Sequence, residues 1–210
     1  MVDNESKSGN RRPLKTREAG WAQALARGLG AAGLSPNAIS TIGVLFAAAG
    51  AACFIAAPDN RWLWLGGALG IQLRLLANML DGMVAVEQGK ASATGPLFNE
   101  LPDRVEDALL LVAAGYGAGQ PELGYGATIL AVTTAYVRAS GGALGFAQDF
   151  VGPMAKQHRM FMLTLGAIGM ALFPGKPVMT TILWVIAAGA LVTCVVRTLR
   201  IARLLKERQG

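Results

Sequence analysis

Residues 78–107 read NMLDGMVAVEQGKASATGPLFNELPDRVED and place polar side chains at helical spacing within a largely apolar chain. Asn78, Asp81 and Ala85 fall on one helix face, because neighbours on a face recur every three or four residues. The same spacing aligns a second group, which is Gly95, Asn99, Asp103 and Asp107. Ionisable groups at membrane depth need a functional explanation. Two such faces joined by a short loop predict one polar site.

The composition is that of a membrane protein. Hydrophobic residues make up 53% of the chain and charged residues only 15%, and the mean hydropathy is +0.42. A soluble domain of this size would usually carry more charge. Six apolar stretches approach the roughly 20 residues that span a bilayer, at residues 38–57, 62–77, 105–118, 123–137, 160–173 and 178–196. We therefore predict an all-α integral membrane bundle of six transmembrane helices.

The stretch 105–118 is too short to span a membrane alone. It reaches spanning length if its helix begins near Pro96, which draws Asn99 and Asp103 toward the membrane. The polar site is therefore predicted to be half-buried near one membrane surface.

The basic residues predict which membrane surface the polar site faces. Of the 19 Lys and Arg residues, all but Arg61, Arg74 and Lys176 fall on one side when both termini share it. Lys and Arg near helix ends concentrate on the cytoplasmic side. We predict a multi-pass protein of the cell inner membrane, with the site and both termini facing the cytoplasm.

The N-terminal region divides into two predicted parts. Residues 1–18 are polar and basic without an apolar run, which predicts a flexible tail and not a secretory signal peptide. Residues 19–34 suit an amphipathic helix on the inner membrane surface, with an ordered linker as the alternative. Ser35 and Pro36 then predict a helix N-cap and first turn. Residues 35–210 form the six-helix membrane domain.

The motif spacing resembles the signature of the CDP-alcohol phosphotransferase family, D-x-x-D-G-x-x-A-R-x8-G-x-x-x-D-x-x-x-D. Every gap is kept, and the identical positions are Asp81, Gly82, Ala85, Gly95 and Asp103. Asn78 and Asn99 stand in place of the first and third aspartates, and Val86 replaces the arginine. A subset of the family resembles this chain in both asparagines, so we interpret the change as a variant site.

The resemblance implies transfer of a phosphatidyl group from CDP-diacylglycerol to the hydroxyl of a small polar alcohol, with release of CMP. Breaking a pyrophosphate needs cations on its oxygens and a base for the incoming hydroxyl. Mg²⁺ or Mn²⁺ would be held by Asp81, Asp103 and the neutral amide oxygens of Asn78 and Asn99. Asp103 would also be the catalytic base, because asparagine cannot accept the proton.

The resemblance also implies a nucleotide-binding side of the site, made of Asn37, Gly82, Ala85 and Gly95. Glycine allows the backbone to approach a ligand closely and permits tight turns. With two of four carboxylates replaced by amides, we expect a weak metal site that fills when the pyrophosphate of the donor arrives.

Arg74 is a lone charge inside an apolar helix, one turn before Asn78, and it needs a partner. If the two motif helices run antiparallel with Asp81 and Asn99 level, Arg74 lies near Asp107. We predict an ion pair between them that fixes helix register. The alternative is that Arg74 contacts substrate.

Arg138, Lys156 and Arg159 form a basic group at the cytoplasmic ends of the fourth and fifth predicted spans. The positive-inside rule alone accounts for such a group. The functional alternative is an acceptor pocket for a phosphorylated alcohol, because guanidinium and ammonium groups bind phosphate well.

Other function classes remain as alternatives. The lost carboxylates favour a catalytically impaired protein that binds CDP-lipid or acts as a scaffold. A carrier is less favoured, because no symmetry between the two halves is evident. A nucleic-acid partner is not expected despite the net charge of +6, because the charge is spread over one membrane face and suits anionic lipid headgroups. The resemblance suggests a homodimer.

Overall fold

The computed structural model describes residues 19–87, 95–148 and 150–209. Within these ranges the chain is entirely helical apart from its turns. The helices are α1 (Gly20–Ala31), α2 (Pro36–Ala56), α3 (Leu63–Glu87), α4 (Gly95–Gly117), α5 (Pro121–Ala143), α6 (Lys156–Leu172) and α7 (Val178–Gln209). The predicted all-α class is thus confirmed, whereas the predicted tail, residues 1–18, lies outside the described residues.

Three helices are long and apolar enough to cross a membrane, namely Pro36–Ala56, Leu63–Val86 and Val178–Arg208. The helices α4, α5 and α6 do not meet that standard in the described part of the chain. In α4 the reason is charge, since its first half carries Glu100, Asp103, Arg104, Glu106 and Asp107. The six-span bundle therefore stays a prediction.

The helix boundaries explain how the motif becomes structured. Ser35 caps α2, because its hydroxyl accepts a hydrogen bond from the Ala38 amide at 3.2 Å, which confirms the predicted N-cap. The helix α3 continues well past the apolar stretch that predicted it and carries the first half of the motif. The helix α4 begins at Gly95, as its required length predicted, and carries the second half.

Close helix packing brings the two motif helices together. The helix α2 packs against both α3 and α4, α3 packs against α6, and α5 packs against α4 and α7. A Cβ on Gly70 of α3 would lie 2.6 Å from the Gly50 Cα of α2, so these two backbones touch at the glycines. Small residues allow this approach in membrane bundles. The α2–α3–α4 packing positions the site.

The helix α1 lies where the amphipathic surface helix is predicted. Its Ala22 and Ala26 are buried in a cluster with residues of α3, whereas Trp21 and Leu25 are exposed. An exposed apolar pair is what a helix at a membrane surface would present. Its place on the membrane surface stays a prediction.

Candidate active site

Asn78 joins the two halves of the motif. Its Nδ2 donates to Asp103 Oδ1 at 2.7 Å and to Glu106 Oε2 at 2.8 Å. These bonds connect α3 with α4 in the register expected when Asp81 and Asn99 are level.

Arg74 lies one turn deeper and is fully buried. Its Nη1 contacts Glu106 Oε2 and its Nη2 contacts Asp107 Oδ1, both at 2.6 Å. Asp107 in turn accepts from Arg159 Nη2 of α6 at 2.7 Å. A buried charge is tolerated only when it is paired and hydrogen-bonded. This network of two arginines and two carboxylates therefore links α3, α4 and α6.

Asp81 is buried and accepts a hydrogen bond from a residue of α2. The Ser40 hydroxyl donates to Asp81 Oδ2 at 2.6 Å, a short bond of the kind expected with a charged acceptor. Within the described ranges, Asp81 forms no ion pair with a basic side chain.

The predicted basic group is already engaged with carboxylates. Lys156, at the start of α6, forms an ion pair and hydrogen bond with Asp103 Oδ1. Arg138 Nη2 contacts both carboxylate oxygens of Glu100, at 2.6 and 2.7 Å. Arg159 contacts Asp107, so all three basic side chains have an acidic partner on α4.

A cavity of about 370 Å³ lies beside this basic group. Arg138, Arg197 and Arg200 contribute its positive charge, and the neutral Gln148 also lines it. Arg197 is held by the Thr134 carbonyl oxygen at 2.7 Å. The cavity has the charge to receive an anion.

The residues predicted to bind the nucleotide lie on α2, α3 and α4. Asn37 lies in the first turn of α2, one turn before Ser40, and Gly82 and Ala85 are half-buried on α3. Gly95 begins α4. Asn99 also lies in α4, although its side chain falls outside the described part of the structure.

The comparisons with known proteins come from sequence and structure. No protein-family model matches the chain. The phosphatidylinositol phosphate synthase of Mycolicibacterium smegmatis is 30% identical over 176 residues, which cover 79% of this chain and 77% of the relative. The chain belongs to the CDP-alcohol phosphotransferase family.

Solved structures show the same fold. The Mycobacterium tuberculosis phosphatidylinositol phosphate synthase with CDP-DAG bound has a TM-score of 0.75 and 24% identity, over 87% of this chain and 94% of that one. The same enzyme in complex with manganese and citrate has a TM-score of 0.74 and 22% identity, over 86% and 88%.

The motif residues that the structure describes offer oxygen ligands, which a hard divalent cation prefers. Among them, no three His, Cys, Asp or Glu side chains lie together as metal ligands would. Asp103 Oδ1 is taken by Asn78 and Lys156. Asp81 is the buried motif carboxylate left without a cationic partner in that part of the chain, and a single carboxylate plus substrate phosphates is a usual magnesium arrangement.

Sequence reasoning missed three members of the site. Ser40 gave no signal because nothing in the local sequence marks a serine in the second turn of a helix. Glu106 is not among the partners predicted for Arg74, although it lies three residues after Asp103 and so on its face. Arg197 was counted only as a cytoplasmic charge.

Proposed function

We propose that this protein transfers a phosphatidyl group from CDP-diacylglycerol to the hydroxyl of a small, phosphorylated alcohol. The observation that carries the proposal is the pair of retained carboxylates, Asp81 and Asp103, on facing helices in the family spacing. Membership of the family supports the same reaction type.

In the proposed reaction, the alcohol oxygen bonds to the donor phosphorus that bears diacylglycerol. The bond between that phosphorus and the bridging pyrophosphate oxygen breaks, and CMP leaves with the electron pair. The hydroxyl proton passes to Asp103. Its Oδ1 accepts from Asn78 and Lys156, whereas its Oδ2 has a longer contact with Arg104 Nη2, at 3.5 Å. We therefore assign the proton to Oδ2.

Mg²⁺ or Mn²⁺ would be held by Asp81, with the motif residues Asn78, Asn99 and Asp103 around it. The cation supplies neutralisation of the pyrophosphate oxygens when bound. Ser40 orients the Asp81 carboxylate for this purpose, because it fixes Oδ2 at 2.6 Å.

The basic group and the adjoining cavity would bind the acceptor phosphate. Arg138 lines the cavity, and Arg159 Nη1 lies 3.4 Å from the Thr134 hydroxyl, on the residue whose carbonyl holds Arg197. An acceptor phosphate would compete with Glu100 for Arg138. Lys156 would lie at the inner end, beside Asp103.

The assembly is also proposed. Both termini and the site would face the cytoplasm of the cell inner membrane, and two chains would associate as a homodimer. Cross-linking of single-cysteine variants in membranes, with membrane-impermeant thiol labelling, tests both statements.

A second function is favoured by the replaced residues. Asn78, Asn99 and Val86 stand where the signature has charged groups, and Asp103 is paired with Lys156. A protein with this site that binds CDP-lipid without turnover, or acts as a scaffold for neighbouring lipid enzymes, would have the same contacts.

The deciding experiment is CMP release by purified protein in lipid nanodiscs. The assay supplies CDP-diacylglycerol, Mg²⁺ or Mn²⁺, and a panel of acceptors that includes glycerol 3-phosphate and inositol phosphates. We expect acceptor-dependent release that falls about 100-fold or more in Asp103→Asn, since a general base contributes that much. Asp59→Asn, at an exposed position between α2 and α3, is the matched control and should be unchanged. Binding of CDP-lipid without CMP release from any acceptor would overturn the transferase and support the second function.

A further inference from the structure

The buried charges around the motif nearly cancel without any metal. Asp103, Glu106 and Asp107 are each paired with a basic side chain, from Lys156, Arg74 and Arg159. These three acidic and three basic groups sum to no net charge, and Arg104 is a further basic neighbour, 3.5 Å from Asp103 Oδ2. In the described part of the chain, Asp81 is left as the motif carboxylate that lacks an ion pair.

Asn78 is adapted to this arrangement as a hydrogen-bond donor. Its Nδ2 donates to carboxylate oxygens of both Asp103 and Glu106, at 2.7 and 2.8 Å. An aspartate at this position would bring a third carboxylate against these two, and like charges so close disfavour one another strongly. Such a cluster would need an additional cation to hold it. The amide removes that need.

Lys156, at the start of α6, supplies positive charge at Asp103. Its ammonium contacts the same oxygen, Asp103 Oδ1, that accepts from Asn78. The Lys156 side chain is about a quarter exposed, at 23%, and Asp103 is 15% exposed, so the pair is shielded from water but lies at the edge of the site. A lysine ammonium is a compact point charge that moves on a flexible stem.

We propose that Lys156 takes the charge-compensating place of a second metal ion at Asp103, so that the site binds one divalent cation per chain, through Asp81. This inference rests on the proposed function, because the cation is expected to enter together with the pyrophosphate of the donor. Asp81 supplies the carboxylate, and Ser40 holds it in place.

The charge balance explains why a second ion is disfavoured. A second divalent cation at Asp103 would have to displace the Lys156 ammonium from Asp103 Oδ1. Hard cations such as Mg²⁺ and Mn²⁺ also demand oxygen ligands, whereas Asn78 turns its N–H groups toward Asp103. Lys156 beside Asp103 both neutralises the carboxylate charge and donates a hydrogen bond to it.

The test is metal stoichiometry, which is independent of turnover. Purified protein in nanodiscs is titrated with Mn²⁺ in the presence of excess CDP, with bound metal measured by equilibrium dialysis and by electron paramagnetic resonance. We expect one Mn²⁺ per chain with the spectrum of an isolated ion. Two Mn²⁺ ions with the spectrum of a coupled pair, or no bound Mn²⁺ at saturating CDP, would overturn the proposal.

The double variant Asn78→Asp/Lys156→Met restores a carboxylate and removes the ammonium. We expect it to bind a second Mn²⁺ with a coupled spectrum, whereas Lys206→Met, at an exposed site on α7, should keep one. A folded double variant that still binds one ion would contradict the role of Lys156, and the wild-type stoichiometry decides the question if the variant does not fold. CMP release is measured on the same samples, so one bound ion without turnover would count against the proposed function and not against this inference.

Discussion

Replacing Arg74 by methionine should destabilise the bundle more than any exposed charge change. The substitution leaves Glu106 and Asp107 without the guanidinium that contacts both at 2.6 Å. A hydrogen bond to a charged group contributes about 1.5–3 kcal/mol, and removing one partner of a buried pair costs about 3–5 kcal/mol. We therefore expect Arg74→Met to lower the free energy of unfolding by about 3–5 kcal/mol.

A second substitution separates the charge effect from the loss of side-chain volume. Arg74→Met/Glu106→Gln also removes the Glu106 charge, and Asp107 keeps Arg159 at 2.7 Å. The double variant should recover about 1.5–2.5 kcal/mol, within the range of coupling energies between contacting residues.

The assay is unfolding of purified protein in mixed detergent micelles by increasing SDS, followed by tryptophan fluorescence. Trp64 is buried against Phe54, with ring centroids 5.3 Å apart, and so reports on the core. Arg61→Met is the control, because Arg61 is an exposed residue that lies over Trp62, and its loss should change the free energy by less than about 1 kcal/mol. If Arg74→Met matches Arg61→Met, the network does not stabilise the fold and the reasoning fails.

Two further substitutions address the site from α2. Ser40→Ala removes the 2.6 Å hydrogen bond to Asp81. It should raise the Mn²⁺ concentration for half-maximal binding about tenfold, as measured by equilibrium dialysis in the presence of CDP. An unchanged Mn²⁺ affinity would mean that Ser40 does not orient the carboxylate. Gly43→Ala would place a Cβ 2.9 Å from Glu106 Oε1 and should lower the free energy of unfolding in SDS by about 1–3 kcal/mol. The control Gly28→Ala, with open space around it, should not lower it. Equal stability of both variants would refute the close approach of Gly43 to Glu106.

Much of the motif geometry was accessible from spacing alone. The intervals from Asn78 to Asp81 and from Asn99 to Asp103 predict two helix faces, because a helix repeats every 3.6 residues. If the two helices run antiparallel with Asp81 and Asn99 level, those intervals place Arg74 near Asp107. The structure contains that contact and the contact of Asn78 with Asp103. The roles of these residues in catalysis and metal binding stay predictions.

Other contacts could not be predicted because they join distant parts of the chain. Ser40 reaches Asp81 across 41 residues, and Arg159 reaches Asp107 across 52. Nothing local to Ser40 distinguishes it from any other serine in the second turn of a helix. The pairing of Lys156 with Asp103 likewise depends on where α6 packs against α3, which no periodicity within α6 encodes.

The sequence by itself determined the helical class, the membrane character and the polar motif with its internal spacing, because apolar content and helical periodicity are properties of neighbouring residues. Apart from the pair of Arg74 and Asp107, the tertiary structure decided which charges neutralise one another. Long-range packing of α2, α4 and α6 around α3 places Ser40 on Asp81, Lys156 on Asp103 and Arg159 on Asp107. These pairings exist because a buried charge must find a partner wherever the fold brings one within reach.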